Sequence, residues 1–103
     1  MFEELVETLE MHNYGVRAYE QFAQLCYRSA SVQPDHAIFF LTLSILAERF
    51  VDQYDDSPLT IMVADVQREK ILAIIQNMEM TLHKDSTARI ELLNSVSREI
   101  MNG

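Results

Sequence analysis

Apolar side chains recur at alternating spacings of three and four over the first thirty residues, and this period constrains the fold more than any other feature. It keeps one row of side chains on one face of an α-helix, against a partner helix. The chain has only 2 Gly and 2 Pro in 103 residues, too few turn residues for a strand-rich fold. The sequence therefore predicts an all-α protein. The row consists of Phe2, Leu5, Leu9, His12, Val16, Tyr19, Ala23, Cys26 and Ala30.

Two proline-containing segments divide the rest of the chain. Pro34 disfavours helix at the preceding residue, and Asp35 is placed to cap the helix that follows. Ser57 can cap a further helix, with Pro58 at its first position. Short connections favour an up-and-down antiparallel bundle that forms a single helical domain over residues 1–103. We predict four helices, at about residues 2–30, 36–54, 58–82 and 87–101.

Two of these helices carry more apolar surface than a lone small bundle covers. A helix over residues 2–30 would be about 44 Å long, longer than a domain of this size is wide. It must bend, with Gly15 the suitable position, or project and be covered by a second copy. The second helix is apolar around almost its whole circumference, as in buried or interface helices. We therefore predict a homodimer, with the interface residues Phe39, Leu43, Leu46 and Phe50.

The charge balance restricts the partners. There are 8 Lys and Arg against 16 Asp and Glu, for a formal net charge of -8. Such a surface repels phosphate backbones and anionic membranes, so we predict binding to neither nucleic acid nor membranes. A negative field is compatible with a basic protein partner or a bound cation. The single cysteine and the lack of a signal-like N-terminus or a bilayer-length apolar run predict a cytoplasmic protein.

Few residues suggest chemistry. The sequence has no Gly-rich phosphate loop, Cys-x-x-Cys pair, His-Glu-x-x-His motif or nucleophile elbow. Cys26 lies on the apolar row, where a thiol is usually an inert packing residue. His12 interrupts that row and is either a hydrogen-bonded residue that fixes register or a metal ligand. Glu48 and Asp52, four residues apart on one helix, could present two carboxylates to a divalent metal. The candidate metal ligands are thus His12, Glu48 and Asp52, and we predict no catalytic residues and no other cofactor.

Short motifs of small and aromatic residues lie on the two predicted helices of residues 12–54. They are Ala18-Tyr19, Phe22-Ala23 and Ser29-Ala30, followed by Phe40, Leu43 and Ala47-Glu48-Arg49-Phe50. This stretch resembles one helical hairpin of the ferritin-like, rubrerythrin-type proteins. The resemblance implies a di-iron centre that takes a Glu from the first helix and a Glu-x-x-His from the second. Here the first position falls near His12 or Asn13, and Val51 stands where the motif has His.

The segment Glu4-Leu5-Val6-Glu7, preceded by Glu3, is a Glu-x-x-Glu motif. It resembles the first half of the Mg²⁺ site of all-α nucleotide pyrophosphohydrolases of the MazG type. Their second half, Glu-x-x-Asp, opens the next helix, where this chain has Asp35-His36-Ala37-Ile38. Asp52-x-x-Asp55 supplies carboxylates at the opposite end of that helix.

The sequence has no complete catalytic or metal-binding motif, and it has more apolar helix surface than one small bundle covers. Both features favour a role in binding. We predict a non-enzymatic helical module that acts through protein–protein contacts, as an adaptor, regulator or chaperone-like protein, and as a homodimer. The alternative is a metal-binding helical bundle, either ferritin-like or a MazG-like pyrophosphohydrolase.

Overall fold

The computed structural model describes residues 1–82, 84 and 86–102, the last of these for its backbone alone. Five α-helices account for most of these residues, and no strand occurs among them, so the all-α prediction is confirmed. Within the same ranges, no helix has both the length and the apolarity that crossing a membrane requires. The helices are α1 (Glu3–Met11), α2 (Val16–Val32), α3 (Ala37–Tyr54), α4 (Ile61–Thr81) and α5 (Ser86–Asn102), and a 3₁₀ turn (Pro34–His36) precedes α3.

The prediction of one helix over residues 2–30, and with it the count of four helices, is wrong. The chain leaves the helical path at Asn13 and Tyr14, whose φ angles of 54° and 57° lie in the left-handed region. Gly15, where the sequence allows a bend, is the extended residue that precedes α2. After this break α1 packs back against α2. The chain itself therefore covers the apolar row that a straight helix would have projected into solvent.

Two backbone hydrogen bonds close the break. The Asn13 amide donates to the Glu10 carbonyl at 3.1 Å, and the Tyr14 amide donates to the Leu9 carbonyl at 2.9 Å. This is the Schellman arrangement that ends many helices, with Asn13 at the position that Gly usually occupies. Asn tolerates the left-handed conformation better than most residues, whereas Tyr14 pays its full steric cost of about 1–2 kcal/mol.

The other helix boundaries follow the predictions closely, except at the start of α4. The predicted caps Asp35 and Ser57 are both wrong. Asp35 lies inside the 3₁₀ turn, and the residue before α3 makes no side-chain cap. At α4 the Thr60 hydroxyl accepts a hydrogen bond from the Val63 amide at 3.2 Å. Because Thr60 satisfies that amide, the helix starts after it and Pro58 stays in the connection.

The core is centred on the antiparallel contact of α2 with α3, which is the most extensive contact between helices. The small residues Ala23, Cys26 and Ala47 are buried here, and their size lets the two backbones approach. An aromatic cluster fills one part of the contact. The ring centroids of Tyr19 and Phe50 are 4.5 Å apart, and those of Phe50 and Tyr54 are 5.0 Å apart.

The remaining helices add to this pair. The Phe2 ring, which lies just before α1, packs on Phe40 of α3 with centroids 5.5 Å apart. Helix α4 buries Ile71, Ile74, Ile75 and Met78, and α5 buries Val96. All of these side chains belong to one continuous apolar cluster with α2 and α3.

Asn13 provides a test of the break between α1 and α2. Asn13→Val should destabilise the fold by about 1–2 kcal/mol, because a β-branched side chain resists the left-handed conformation. Asn13→Gly should stay within about 1 kcal/mol of the parent, since Gly adopts that conformation freely. The free energy of unfolding from urea titrations measures both. Equal stability of the two variants would contradict the left-handed backbone at Asn13.

Candidate protein-interaction surfaces

The four residues predicted for a dimer interface lie inside the chain's own core. Phe39, Leu43, Leu46 and Phe50 expose 1%, 0%, 9% and 5% of their surface. The sequence picks them out because α3 is apolar almost all round, but the core-facing side of the helix is already covered within one chain. Any contact between copies through α3 must use its outer side.

The outer side of α3 carries three aliphatic side chains, Ile38, Leu41 and Ile45, which we call the α3 stripe. They expose 54%, 38% and 45% of their surface. Their spacing of three and four places them on one face of the helix. Further along the same face the helix becomes charged, with Glu48 and Arg49 exposed. The spacing of these residues is present in the sequence. It cannot be recognised there, because α3 has apolar residues on nearly every side.

Tyr27 of α2 borders the charged part of that face. Its hydroxyl donates a hydrogen bond to the Glu48 carboxylate at 2.8 Å. This hydrogen bond to Glu48 raises the pKa of Tyr27, because it requires the phenol proton. The Tyr27 side chain is itself exposed. The hydrogen bond links Glu48 of α3 to α2. The exposed Tyr27 ring adds apolar surface beside the helix.

The three candidate metal ligands occupy different settings. His12 follows the last residue of α1 and is partly buried. Glu48 accepts the Tyr27 hydroxyl, and Asp52 is exposed one turn further along α3. Among the residues that the structure describes, no three His, Cys, Asp or Glu side chains are grouped so that they could hold a metal ion. Metal binding by His12, Glu48 and Asp52 stays a prediction.

A groove of about 420 Å³, which we call the acidic groove, separates α1 from α4. Apolar side chains form its base and glutamates stand along it. The apolar residues are Phe2, Val6, Leu72 and Ile75, and the glutamates are Glu3, Glu7, Glu10 and Glu79. Val6 and Leu72 are partly exposed to solvent, whereas Phe2 and Ile75 are buried beneath them.

A second groove, of about 340 Å³, lies on the opposite side of α4, and we call it the α3–α4 groove. Phe50 and Tyr54 of α3 line one wall. Met62 and Val66 of α4 line the other, and they expose 77% and 60% of their surface. This groove has apolar and amide side chains but no charged residue in its lining.

Cys26 and Tyr19 bring reactive atoms into the core without forming a catalytic group. Both side chains are 0% exposed. Burial raises the pKa of the Cys26 thiol and of the Tyr19 phenol well above their ordinary values. Since the thiolate is the nucleophile, we expect Cys26 to be unreactive in the folded chain, which is the packing role predicted from its place on the apolar row.

Comparison of the chain with family models, with curated proteins and with solved structures finds no match. The ferritin-like and MazG-like resemblances therefore stay predictions.

The reactivity of the Cys26 thiol can be measured with a thiol reagent. In the native protein at pH 8, Cys26 should react with Ellman's reagent at least about 100-fold more slowly than in the urea-unfolded chain. Burial removes both access and thiolate character. Val96→Ala creates a cavity in a different part of the core. It should accelerate the reaction only as far as it lowers the free energy of unfolding. Fast reaction of the native parent would contradict the buried position.

Proposed function

We propose that this chain is a non-enzymatic helical module that acts through protein–protein contact and self-associates through the α3 stripe. The observation that carries the proposal is the exposure of Ile38, Leu41 and Ile45 in one row on the helix that is otherwise the most deeply buried. A row of aliphatic side chains at this spacing is the pattern by which two helices pack together. Burial against a second copy removes it from water.

The charges around the stripe favour an antiparallel arrangement of two copies. Asp35 lies beyond the N-terminal end of the stripe, and Arg49 lies beyond its C-terminal end. Both are exposed, and neither forms an ion pair with another described residue. A two-fold axis through the stripe brings each end of one α3 to the other end of its partner. Arg49 of each copy then approaches Asp35 of the other, whereas a parallel arrangement would bring the two Arg49 side chains together. Glu48, beside Arg49, is held by the Tyr27 hydroxyl of its own copy.

The size of the stripe sets the expected affinity. Three aliphatic residues and Tyr27 supply an interface at the small end of the specific range, below about 1,200 Å² in total. The net charge of -8 on each copy opposes association at low ionic strength. We therefore expect a dimer that dissociates in the micromolar range and becomes tighter as added salt screens the repulsion.

The test is sedimentation equilibrium at protein concentrations from about 1 to about 500 μM. Leu41→Glu should raise the dimer dissociation constant at least about tenfold, because a carboxylate at the centre of the contact loses its water and faces a second copy of itself. The matched control is Val66→Glu, which places the same charge in the α3–α4 groove and should leave dimerisation unchanged. Circular dichroism checks that both variants keep their helices.

Two results would contradict self-association through the stripe. One is a parent protein that remains monomeric over the whole concentration range. The other is a dimer that Val66→Glu dissociates and Leu41→Glu does not, since that outcome moves the contact to the α3–α4 groove.

A further inference from the structure

The acidic groove has two parallel rows of side chains with different chemistry. On α1, Glu3, Glu7 and Glu10 follow one another at spacings of four and three and form an edge of carboxylates. Beside that edge run the apolar residues of the base, contributed by both helices. Glu79 of α4 adds a carboxylate to the opposite wall. A ligand in this groove therefore meets apolar surface at the base and negative charge at the rim.

Most of this negative charge is not neutralised by neighbours. The ammonium group of Met1 pairs with Glu3. Among the described residues, no cation forms an ion pair with Glu7, Glu10 or Glu79. Arg68 lies beyond the Glu10 end of the groove, where its guanidinium sits over the Tyr14 ring at 5.6 Å from the centroid.

We propose that the acidic groove binds a basic amphipathic helix of a partner protein. An amphipathic helix lays its apolar side chains, spaced three and four apart, into a groove of this kind. The carboxylates of the rim select Lys and Arg at the flanking positions of that helix, and the net charge of -8 speeds its approach. The proposal names the partner of the proposed interaction module and does not depend on self-association.

A second copy of this chain is a poor occupant. Its most basic helix, α2, carries two arginines and one glutamate, and none of the other helices has a positive net charge. Helix α1 has 9 residues, so the groove beside it contacts about two and a half turns of a partner helix. The occupant is thus a segment of about 10–12 residues with apolar residues on one face and cations beside them.

A synthetic peptide serves as the probe. It is a fluorescein-labelled helix with Leu at positions i, i+3, i+4 and i+7 and Lys on either side of that row. One control peptide has Glu in place of each Lys, and another has the same residues as the probe in scrambled order. Fluorescence anisotropy should show micromolar binding of the ordered basic peptide that weakens as salt is added, and about tenfold weaker binding or less of both controls.

Paired variants locate the binding site. Glu7→Gln with Glu79→Gln should weaken binding of the basic peptide at least about tenfold, because both walls of the groove lose their charge. Asp56→Asn with Glu91→Gln removes the same charge from exposed positions outside the groove and should change the affinity by less than about twofold. Leu41→Glu, which disrupts the α3 stripe, should leave peptide binding intact.

The proposal is overturned if the scrambled peptide binds as tightly as the ordered one, or if the two double variants weaken binding equally. Either result reduces the interaction to general charge attraction. The proposal is also overturned if Leu41→Glu loses peptide binding and the double variant Glu7→Gln with Glu79→Gln does not. That result does not contradict self-association through the α3 stripe. In the parent protein the two interactions can be told apart by their salt dependence. Added salt should weaken peptide binding and strengthen dimerisation.

Discussion

The close packing of α2 against α3 is the contact on which the rest of the structure depends. Small side chains such as Ala23 and Ala47 bring the two helices together, and the stack of Tyr19 on Phe50 fills the space beside them. Each of the other helices adds to this pair. Helix α1 packs on α2, and Phe2 just before it packs on Phe40. Helices α4 and α5 contribute apolar side chains to the same cluster. Loss of one large side chain here costs about 3–5 kcal/mol, a large part of the stability of a domain of this size.

What the core leaves uncovered follows from the same packing. Because the inner sides of α3 are buried against its own chain, the large apolar side chains that α3 exposes are confined to the row of Ile38, Leu41 and Ile45. Helix α4 lines two grooves, one with α1 that carries glutamates and one with α3 that has no charged residue in its lining. The proposed self-association uses the first of these surfaces, and the proposed binding of a basic helix uses the groove with the glutamates.

The sequence predicts the helices well and the breaks between them less well. The period of three and four identifies most core residues from Phe2 to Cys26, although the fully buried Ala18 and Phe22 lie outside the row. Proline identifies the two connections that contain Pro34 and Pro58. It does not show that Asn13 and Tyr14 leave the helix, because the row of apolar residues continues in register across the break. Nor does it predict which face of α3 is exposed, since a helix that is apolar all round has no preferred face. The sequence does not predict the acidic groove either, because the residues of its two walls are about 70 positions apart and only the folded structure brings them together.

Segment-resolved hydrogen–deuterium exchange of the native protein tests the central place of the α2–α3 pair most directly. The amides of α2 and α3 should exchange slowest, with free energies of opening equal to that of global unfolding. Those of α4 and α5 should open at free energies lower by at least about 1–2 kcal/mol, since these helices can detach while the pair persists. Protection of α4 and α5 equal to or greater than that of α2 and α3 would contradict the account.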